Sequence, residues 1–268
     1  MTAPPTDAVA MATARWRLWR LRVIAGCWLA AAALLGSWFW PVTRSVWDHI
    51  DTYAFNILHG HLRYMGAGWH WFWAAANTRW FDLGSALAFA LIFLFHLKAG
   101  GLMDLTRRLA QGVFLTVFTV TVLYLSTKHV FVFERLSPSL QLQPVIRLST
   151  VFTEIKVKDI SGNSFPGDHG TTVTLFTFFI WAFAGRRLGL ITVLVAGFLV
   201  LPRMVSGAHW LTDLLVGSAA IALVALPLAL ATPLSATVIA LLDGILQRFS
   251  QPLLDWLRLK RNDEGHAP

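Results

Sequence analysis

The sequence predicts an all-α, polytopic membrane protein, a bundle of six transmembrane helices with additional amphipathic helices at the membrane interface. Composition is the first reason: 56% of the 268 residues are apolar and only 13% are charged, too little charge to cover a soluble domain of this length. Aromatic content is the second: 13 Trp and 19 Phe fit a bilayer protein, because aromatic rings favour the membrane interface.

Six apolar stretches are candidates for the membrane spans, since crossing the hydrocarbon core takes about 20 mainly apolar residues. They cover residues 21–40, 83–97, 110–126, 171–184, 188–202 and 214–232. The first is longer than the apolar part of a signal peptide and precedes no small-x-small cleavage motif, so we expect an uncleaved anchor. The chain then divides into an N-terminal segment, 1–20, a six-span catalytic domain, 21–232, and a C-terminal interfacial helix and tail, 233–268.

Three further segments are amphipathic and too polar to span. Residues 45–62 mix apolar residues with Asp and His, and residues 69–80 form an aromatic cluster; we expect both at the outer interface. Residues 234–249 predict an interfacial helix on the inner side.

Basic residues in short loops predict the orientation. The compact loops 98–108 and 186–187 are rich in Lys and Arg, and such loops are retained in the cytoplasm. Six spans then place both termini in the cytoplasm and the remaining loops on the outer side.

The net charge of +8 does not indicate a nucleic-acid-binding protein, because the basic residues are scattered between apolar runs and form no dense stripe. Anionic lipid and an anionic substrate are the partners this charge favours. The single cysteine, Cys27, excludes an internal disulfide framework.

Three clusters of polar residues fall on the predicted outer side, each at the end of a span. Their principal residues are Lys128 and Arg135 in the first cluster, Pro166, Gly167, Asp168 and His169 in the second, and Arg203, His209 and Asp213 in the third. Ionisable residues at membrane depth are costly, which makes such a convergence a functional hypothesis.

The residue types predict phosphate chemistry. His209 and Asp213 are four apart and share a helix face, so the carboxylate can fix the imidazole tautomer and leave the other ring nitrogen free to attack. Arg203 offers a planar fork for phosphate oxygens. His169 follows a Pro-Gly turn into a helix, where backbone N–H groups bind anions and the ring can donate a proton.

Each feature also has an ordinary explanation. A His–Asp pair can be a helix cap, a lone Lys or Arg at a span end usually extends to the interface, and Pro-Gly is commonly only a turn. The coincidence of nucleophile, acid and anion clamp on one side of the membrane is what favours catalysis. No carboxylates cluster in a way suited to a metal, and we expect neither a metal nor a cofactor.

The motifs resemble those of the type 2 phosphatidic acid phosphatase superfamily, whose signature is K-x6-R-P, then P-S-G-H, then S-R-x5-H-x3-D. Lys128 and Arg135 match the first block, although Leu136 replaces its proline. Pro166 and His169 match the second, with Gly167-Asp168 in place of Ser-Gly. Arg203, His209 and Asp213 match the third, with Pro202 in place of the serine.

These departures are similar to one branch of that superfamily, Gram-negative inner-membrane enzymes that act on undecaprenyl pyrophosphate and lipid A. The branch is also echoed by Arg79-Trp80-Phe81-Asp82. The resemblance implies a metal-independent phosphotransferase in the bacterial inner membrane, with its active site facing the periplasm, which moves the terminal phosphate of undecaprenyl pyrophosphate to the 1-phosphate of lipid A.

Within that resemblance, His209 is the nucleophile that forms a phosphohistidine, Asp213 steadies it, and His169 protonates the leaving oxygen. The residues implied to hold phosphate are Arg203, Arg135, Lys128, Gly167 and Asp168, while Lys156 and Lys158 in the preceding loop are implied to contact the lipid head group. Two alternatives remain open at this stage: a phosphatase that uses water as acceptor, and a catalytically silent protein that keeps the pocket for binding or transport.

Asp168 is unusual, because a carboxylate beside a phosphate pocket repels the substrate unless it turns towards a cation. We expect it to anchor Arg203, Lys156 or Lys158, or else to cap the helix that follows.

Overall fold

The computed structural model describes residues 6–100 and 104–264, with side chains described for residues 20–100 and 104–249. Within these ranges the chain is all-helical, which confirms the predicted class. No strand is present there, and one isolated parallel β-bridge joins Arg135 to Asn163. The helices are α1 Thr6–Phe39, α2 Pro41–Leu58, α3 Ala67–Ala75, α4 Arg79–Lys98, α5 Leu105–Leu125, α6 Pro138–Gln141, α7 Leu148–Val151, α8 Asp168–Ala184, α9 Arg186–Val205, α10 Ala219–Leu230 and α11 Leu234–Glu264. A 3₁₀ turn covers Gly60–Tyr64, and π-helical turns cover Ser126–Val130 and Asp213–Ser218.

Five helical segments in the described ranges are long and apolar enough to cross a membrane. They are Arg20–Phe39, Arg79–Lys98, Leu105–Val130, Arg186–Val205 and Asp213–Leu230, and they contain five of the six predicted spans. The sixth, 171–184, lies in α8, whose 17 residues make it a shorter helix. At 1.5 Å per residue α8 is roughly 25 Å long, slightly less than the hydrocarbon core.

Helix α8 lies inside the bundle, in contact with α5, α9 and α10, while α1 packs along α10. The Trp28 indole N–H donates to the Val224 carbonyl at 3.2 Å and ties α1 to α10. Large apolar residues on the far side of α9, such as Leu190 and Leu194, are exposed. An apolar outer face of this kind suits a helix that contacts lipid.

The C-terminal helix α11 continues well beyond the predicted interfacial segment. Its first half packs against α5, where Ile239 is buried in a cluster with Phe114 and Phe179. Helix α11 therefore adds to the packed core of the bundle.

One end of the bundle is covered by irregular chain. The start of α4, the end of α5, the start of α8 and the end of α9 meet at that end, and the segment between α5 and α8 lies over them. This cover is held by a cluster in which Leu62, Trp73, Leu148 and Val205 are buried. The basic residues Lys98, Arg107, Arg108, Arg186 and Arg187 lie at the opposite ends of the same helices.

Candidate active site

His209 and Asp213 contact each other, but not from one helix face as predicted, because His209 lies in a bend that precedes the helical turn containing Asp213. The His209 Nδ1 atom lies 3.1 Å from Asp213 Oδ2 and 2.9 Å from the Ser164 carbonyl oxygen. Both neighbours are acceptors, so Nδ1 carries the proton and donates, and Nε2 of the neutral ring keeps its lone pair. Asp213 Oδ2 also accepts the Trp210 backbone N–H at 2.9 Å. The His209 ring is thus fixed at one edge, with its other nitrogen available as a nucleophile.

A chain of buried charges continues behind this pair. The Arg135 guanidinium donates to Asp213 Oδ1 through Nη1 and, at 2.7 Å, to Asp51 Oδ2 through Nη2. Asp51 also accepts from the Thr212 backbone N–H at 2.8 Å and from the Thr212 hydroxyl at 2.6 Å. Burial raises the pKa of Asp51, against the hydrogen bonds from Thr212 and the charge of Arg135, which lower it.

Arg135 therefore lies behind the histidine. Its side chain is 7% exposed and both carboxylates it contacts are 1% exposed. The guanidinium also lies 5.0 Å from the centre of the Trp38 ring and 5.3 Å from that of Trp210, within the range of a cation–π interaction. In this arrangement Arg135 positions Asp213, whereas the sequence motif had predicted a contact with phosphate.

Arg203 is the centre of a second group of charges. Its Nη2 donates to Asp82 Oδ1 at 2.5 Å and lies 3.4 Å from His169 Nε2. Its Nη1 is held by the Asn77 side-chain oxygen at 3.4 Å and the Lys158 carbonyl at 3.3 Å. The other oxygen of Asp82 accepts from Lys158 Nζ at 2.6 Å. The cations of the predicted anion clamp, Arg203 and Lys158, lie together, and the Asp82 carboxylate lies between them.

The turn before α8 brings His169 into the same group. Gly167 has φ +81, a left-handed conformation that favours glycine, and α8 begins at the next residue. Asp168 Oδ1 accepts from the His169 backbone N–H at 2.8 Å and from its ring Nδ1 at 2.9 Å. His169 Nε2 lies 3.3 Å from Asp82 Oδ1. Each ring nitrogen of His169 thus faces a carboxylate oxygen.

Asp168 anchors a basic neighbour, as its position suggested, but that neighbour is His169. Asp82 takes two of the three cations that were expected to pair with Asp168, Arg203 and Lys158. Partial burial opposes ionisation of Asp168, yet the hydrogen bond and charge of His169, with the charge of His209, lower the pKa of this carboxyl below its ordinary value.

The predicted site residues converge on one cavity of about 750 Å³. Those that line it are Lys128, Lys156, Lys158, Gly167, Asp168, His169, Arg203 and His209. Asp213 and Arg135 lie behind His209. The arrangement places a nucleophilic nitrogen, a proton donor and several cations around one space, which is what transfer of a phosphoryl group needs.

Apolar space adjoins this cavity. A cavity of about 280 Å³ shares Leu123, His169 and Arg203 with it and is also lined by Phe89 and Thr172. The same Phe89, Leu123 and Thr172 line a further groove of about 660 Å³ between α4, α5 and α8. An apolar groove along the helices thus adjoins the polar cavity through shared lining residues.

One group of possible metal ligands occurs among the described residues. Ligand atoms of Asp168, His169 and His209 lie within 4.8 Å of one another. These are also the residues predicted to act on phosphate, so an ion bound there would occupy the nucleophile.

Sequence reasoning did not identify two residues of the site, Asp51 and Asp82. Asp82 carried a usable signal, because an ionisable side chain at the start of a span suggests function. Asp51 carried none, since it lies in a segment with several other polar residues. Its contacts with Arg135 and Thr212 join parts of the chain that are 84 and 161 residues apart.

Comparison with known proteins agrees with this geometry. Residues 105–235 match the PAP2 superfamily, and the chain belongs to that superfamily. Membership supports a lipid phosphatase or phosphotransferase. The chain is also similar to the lipid A 1-diphosphate synthase of Escherichia coli (strain K12): the two are 34% identical over 216 residues, which cover 80% of this chain and 90% of that protein. No solved structure matches the chain significantly.

Proposed function

We propose that this chain is a phosphotransferase that moves the terminal phosphate of undecaprenyl pyrophosphate to the 1-phosphate of lipid A through a phosphohistidine. The supporting observation is the orientation of His209. Its Nδ1–H is held by Asp213 and the Ser164 carbonyl, and the ring borders a cavity lined with cations. The nature of donor and acceptor rests on the similarity to the lipid A 1-diphosphate synthase.

In the first step His209 Nε2 attacks the terminal phosphorus. A P–N bond forms while the bridging P–O bond breaks, and undecaprenyl phosphate leaves with a proton from His169 on its oxygen. Asp213 stabilises the positive charge that develops on the His209 ring. Arg203, Lys158 and backbone N–H groups near Gly167 hold the phosphoryl oxygens.

In the second step an oxygen of the lipid A 1-phosphate attacks the same phosphorus and the P–N bond breaks. The products are lipid A 1-diphosphate and free His209. Lys128 and Lys156 at the edge of the cavity suit the outer phosphate or the acceptor head group. We propose that no metal is needed, because the cations of the chain neutralise the charge that magnesium neutralises in kinases.

The adjoining apolar groove suits the hydrocarbon tail of a lipid substrate. It lies between α4, α5 and α8 and is lined by groups such as Phe93, Val113 and Phe176. A lipid held there would have its head group towards the polar cavity, since the groove and the smaller cavity share Phe89, Leu123 and Thr172 and the smaller cavity shares Leu123, His169 and Arg203 with the polar one.

The proposal includes six spans, with α8 as the fourth, and an active site facing the periplasm. The site lies at one end of α4, α5, α8 and α9. The basic residues Lys98, Arg107, Arg108, Arg186 and Arg187 lie at the other end, which supports cytoplasmic termini. Residues 21–232 then form the catalytic domain between cytoplasmic segments 1–20 and 233–268, with α2 and α3 at the outer interface.

The fate of labelled phosphate tests the reaction. Purified protein is incubated with undecaprenyl pyrophosphate labelled at its terminal phosphate, with and without lipid A. Label that appears in lipid A supports the transferase, whereas free orthophosphate in equal amounts under both conditions supports the phosphatase.

Acid-labile label on the protein tests the intermediate. It is expected in the wild type before acceptor is added and absent in His209→Ala. His49→Ala is the matched control, because His49 is exposed and bonds only to the Ser45 carbonyl. Transfer that survives His209→Ala would contradict the mechanism.

A further inference from the structure

We propose that Asp82 competes with substrate phosphate for the cations of the site, and that this competition makes the site select diphosphates over monophosphates. The inference rests on the proposed function for the identity of the site, and it adds a residue that determines specificity.

The Asp82 carboxylate contacts several cationic groups of the site at once. Asp82 Oδ1 contacts Arg203 Nη2 at 2.5 Å and lies 3.3 Å from His169 Nε2, and Oδ2 contacts Lys158 Nζ at 2.6 Å. Two oxygens that share three cationic or proton-donating partners mimic two oxygens of a phosphate. Asp82 thus occupies the part of the site where a phosphoryl group would be held.

The Asp82 side chain can also be displaced from these cations. Its side chain is 26% exposed, in contrast to Asp213 at 1%. Asp213 is held by hydrogen bonds from the chain on both oxygens and belongs to the interior. Asp82 lies in the first turn of α4 on the wall of a cavity, so a rotation of its side chain releases the clamp without unpacking the core.

Competition with Asp82 favours binding of a diphosphate over binding of a monophosphate. A monophosphate that enters the clamp replaces one anion by another and regains only the contacts that Asp82 had. Lys128 and Lys156 line the larger cavity, which shares Arg203 and His169 with the cavity of Asp82. Both lysines are exposed and form no ion pair with any residue in the described part of the chain. A diphosphate can place one phosphate at these lysines, so its binding depends less on displacing Asp82 than that of a monophosphate, which has only the clamp.

Asp82→Asn tests the idea because the two possible roles predict opposite signs. If Asp82 competes, removal of its charge strengthens phosphate binding. If Asp82 instead orients Arg203 as a permanent part of the site, the same change weakens it. The measurement is the Kd of the purified full-length protein for inorganic phosphate and for methylenediphosphonate, by calorimetry. Both probes report binding alone, so the result does not depend on whether the proposed transfer occurs.

We expect Asp82→Asn to bind inorganic phosphate about tenfold more tightly, equivalent to about 1.4 kcal/mol, and methylenediphosphonate about threefold more tightly, so that the preference for the diphosphonate falls. Asp82→Glu, which keeps the charge, is expected to show little change. Asp48→Asn is the charge-matched control, because Asp48 is exposed and pairs only with Arg44.

Phosphate binding that is weakened or unchanged in a folded Asp82→Asn protein would overturn the proposal. An equal gain for both probes would overturn the part that concerns selection. Thermal unfolding checks that the variant is folded, and Asp82→Ser provides a smaller neutral side chain for the same measurements if the Asn variant does not fold.

Discussion

Asp51→Asn tests whether Arg135 holds Asp213, and through it His209, in the position needed for the reaction. The substitution leaves an acceptor for the Thr212 N–H but removes the charge that faces Arg135 at 2.7 Å. Both members of the ion pair are buried, at 1% and 7% exposure, and loss of one partner from such a pair costs about 3–5 kcal/mol. Arg135 keeps its contact with Asp213, so we expect about 3 kcal/mol, the lower end of that range.

The assay combines stability with kinetics. The free energy of unfolding is measured by denaturant titration in mixed micelles, and kcat and KM are measured for phosphoryl transfer. Because Arg135 holds Asp213, and Asp213 holds His209, we expect kcat to fall roughly 10- to 100-fold through misplacement of the ring, while KM stays near the wild-type value. Asp48→Asn on the exposed face of α2 should stay within about 0.5 kcal/mol of the wild type. Thr212→Ser keeps the hydroxyl but removes a buried methyl group, and should cost only about 0.5–1.5 kcal/mol.

A raised KM with unchanged stability would refute this reasoning. That result would mean that the Arg135 guanidinium faces the substrate, as the sequence motif alone predicts, and that the ion pair with Asp51 contributes nothing to the fold.

Three further predictions concern other parts of the site. Gly207→Ala should destabilise the fold by about 1–3 kcal/mol, because φ is +78 and the new Cβ would lie 2.9 Å from the Phe55 ring; chemical denaturation measures it. Burial lowers the pKa of His59, so the unfolded chain takes up a proton near pH 6.5 before the folded one does. Stability should therefore fall as the pH drops below that value, and less steeply in His59→Gln. Asp168→Ser removes the acceptor for His169 Nδ1 and should raise the ratio of free orthophosphate to lipid-bound phosphate among the products.

Each of these three predictions would be contradicted by a specific result. Wild-type stability for Gly207→Ala would show that the turn before His209 relaxes at no cost. An unchanged pH slope for His59→Gln would assign that slope to other groups. An unchanged product ratio for Asp168→Ser would remove Asp168 from the choice of acceptor.

The sequence predicted the part of the site that depends on local spacing. His209 and Asp213 are four residues apart, and the Asp213 carboxylate reaches back from the start of a helix to the His209 ring and the Trp210 N–H, so their contact needed little knowledge of the rest of the fold. The convergence of Arg203, His169 and the lysines also followed from the order of the spans, because every second loop lies on the same side of a membrane.

Contacts between distant segments were not predictable in the same way. Arg135 turns away from the cavity because Asp51, far earlier in the chain, supplies a buried counter-charge that no local pattern reveals. Likewise, the partner of Asp168 was predicted as a lysine or arginine, but Asp82 takes these cations and leaves the adjacent imidazole.

The positions of Asp51 and Asp82 early in the chain have a consequence for protein engineering. Both residues, and Trp38 beside Arg135, come from α1, α2 and α4, which precede the segment 105–235 that matches the superfamily. A chimaera that exchanges only that segment between two relatives would join the histidines of one protein to the counter-charges of another. Grafts of this catalytic unit should therefore begin before residue 38, so that both ends of each ion pair travel together.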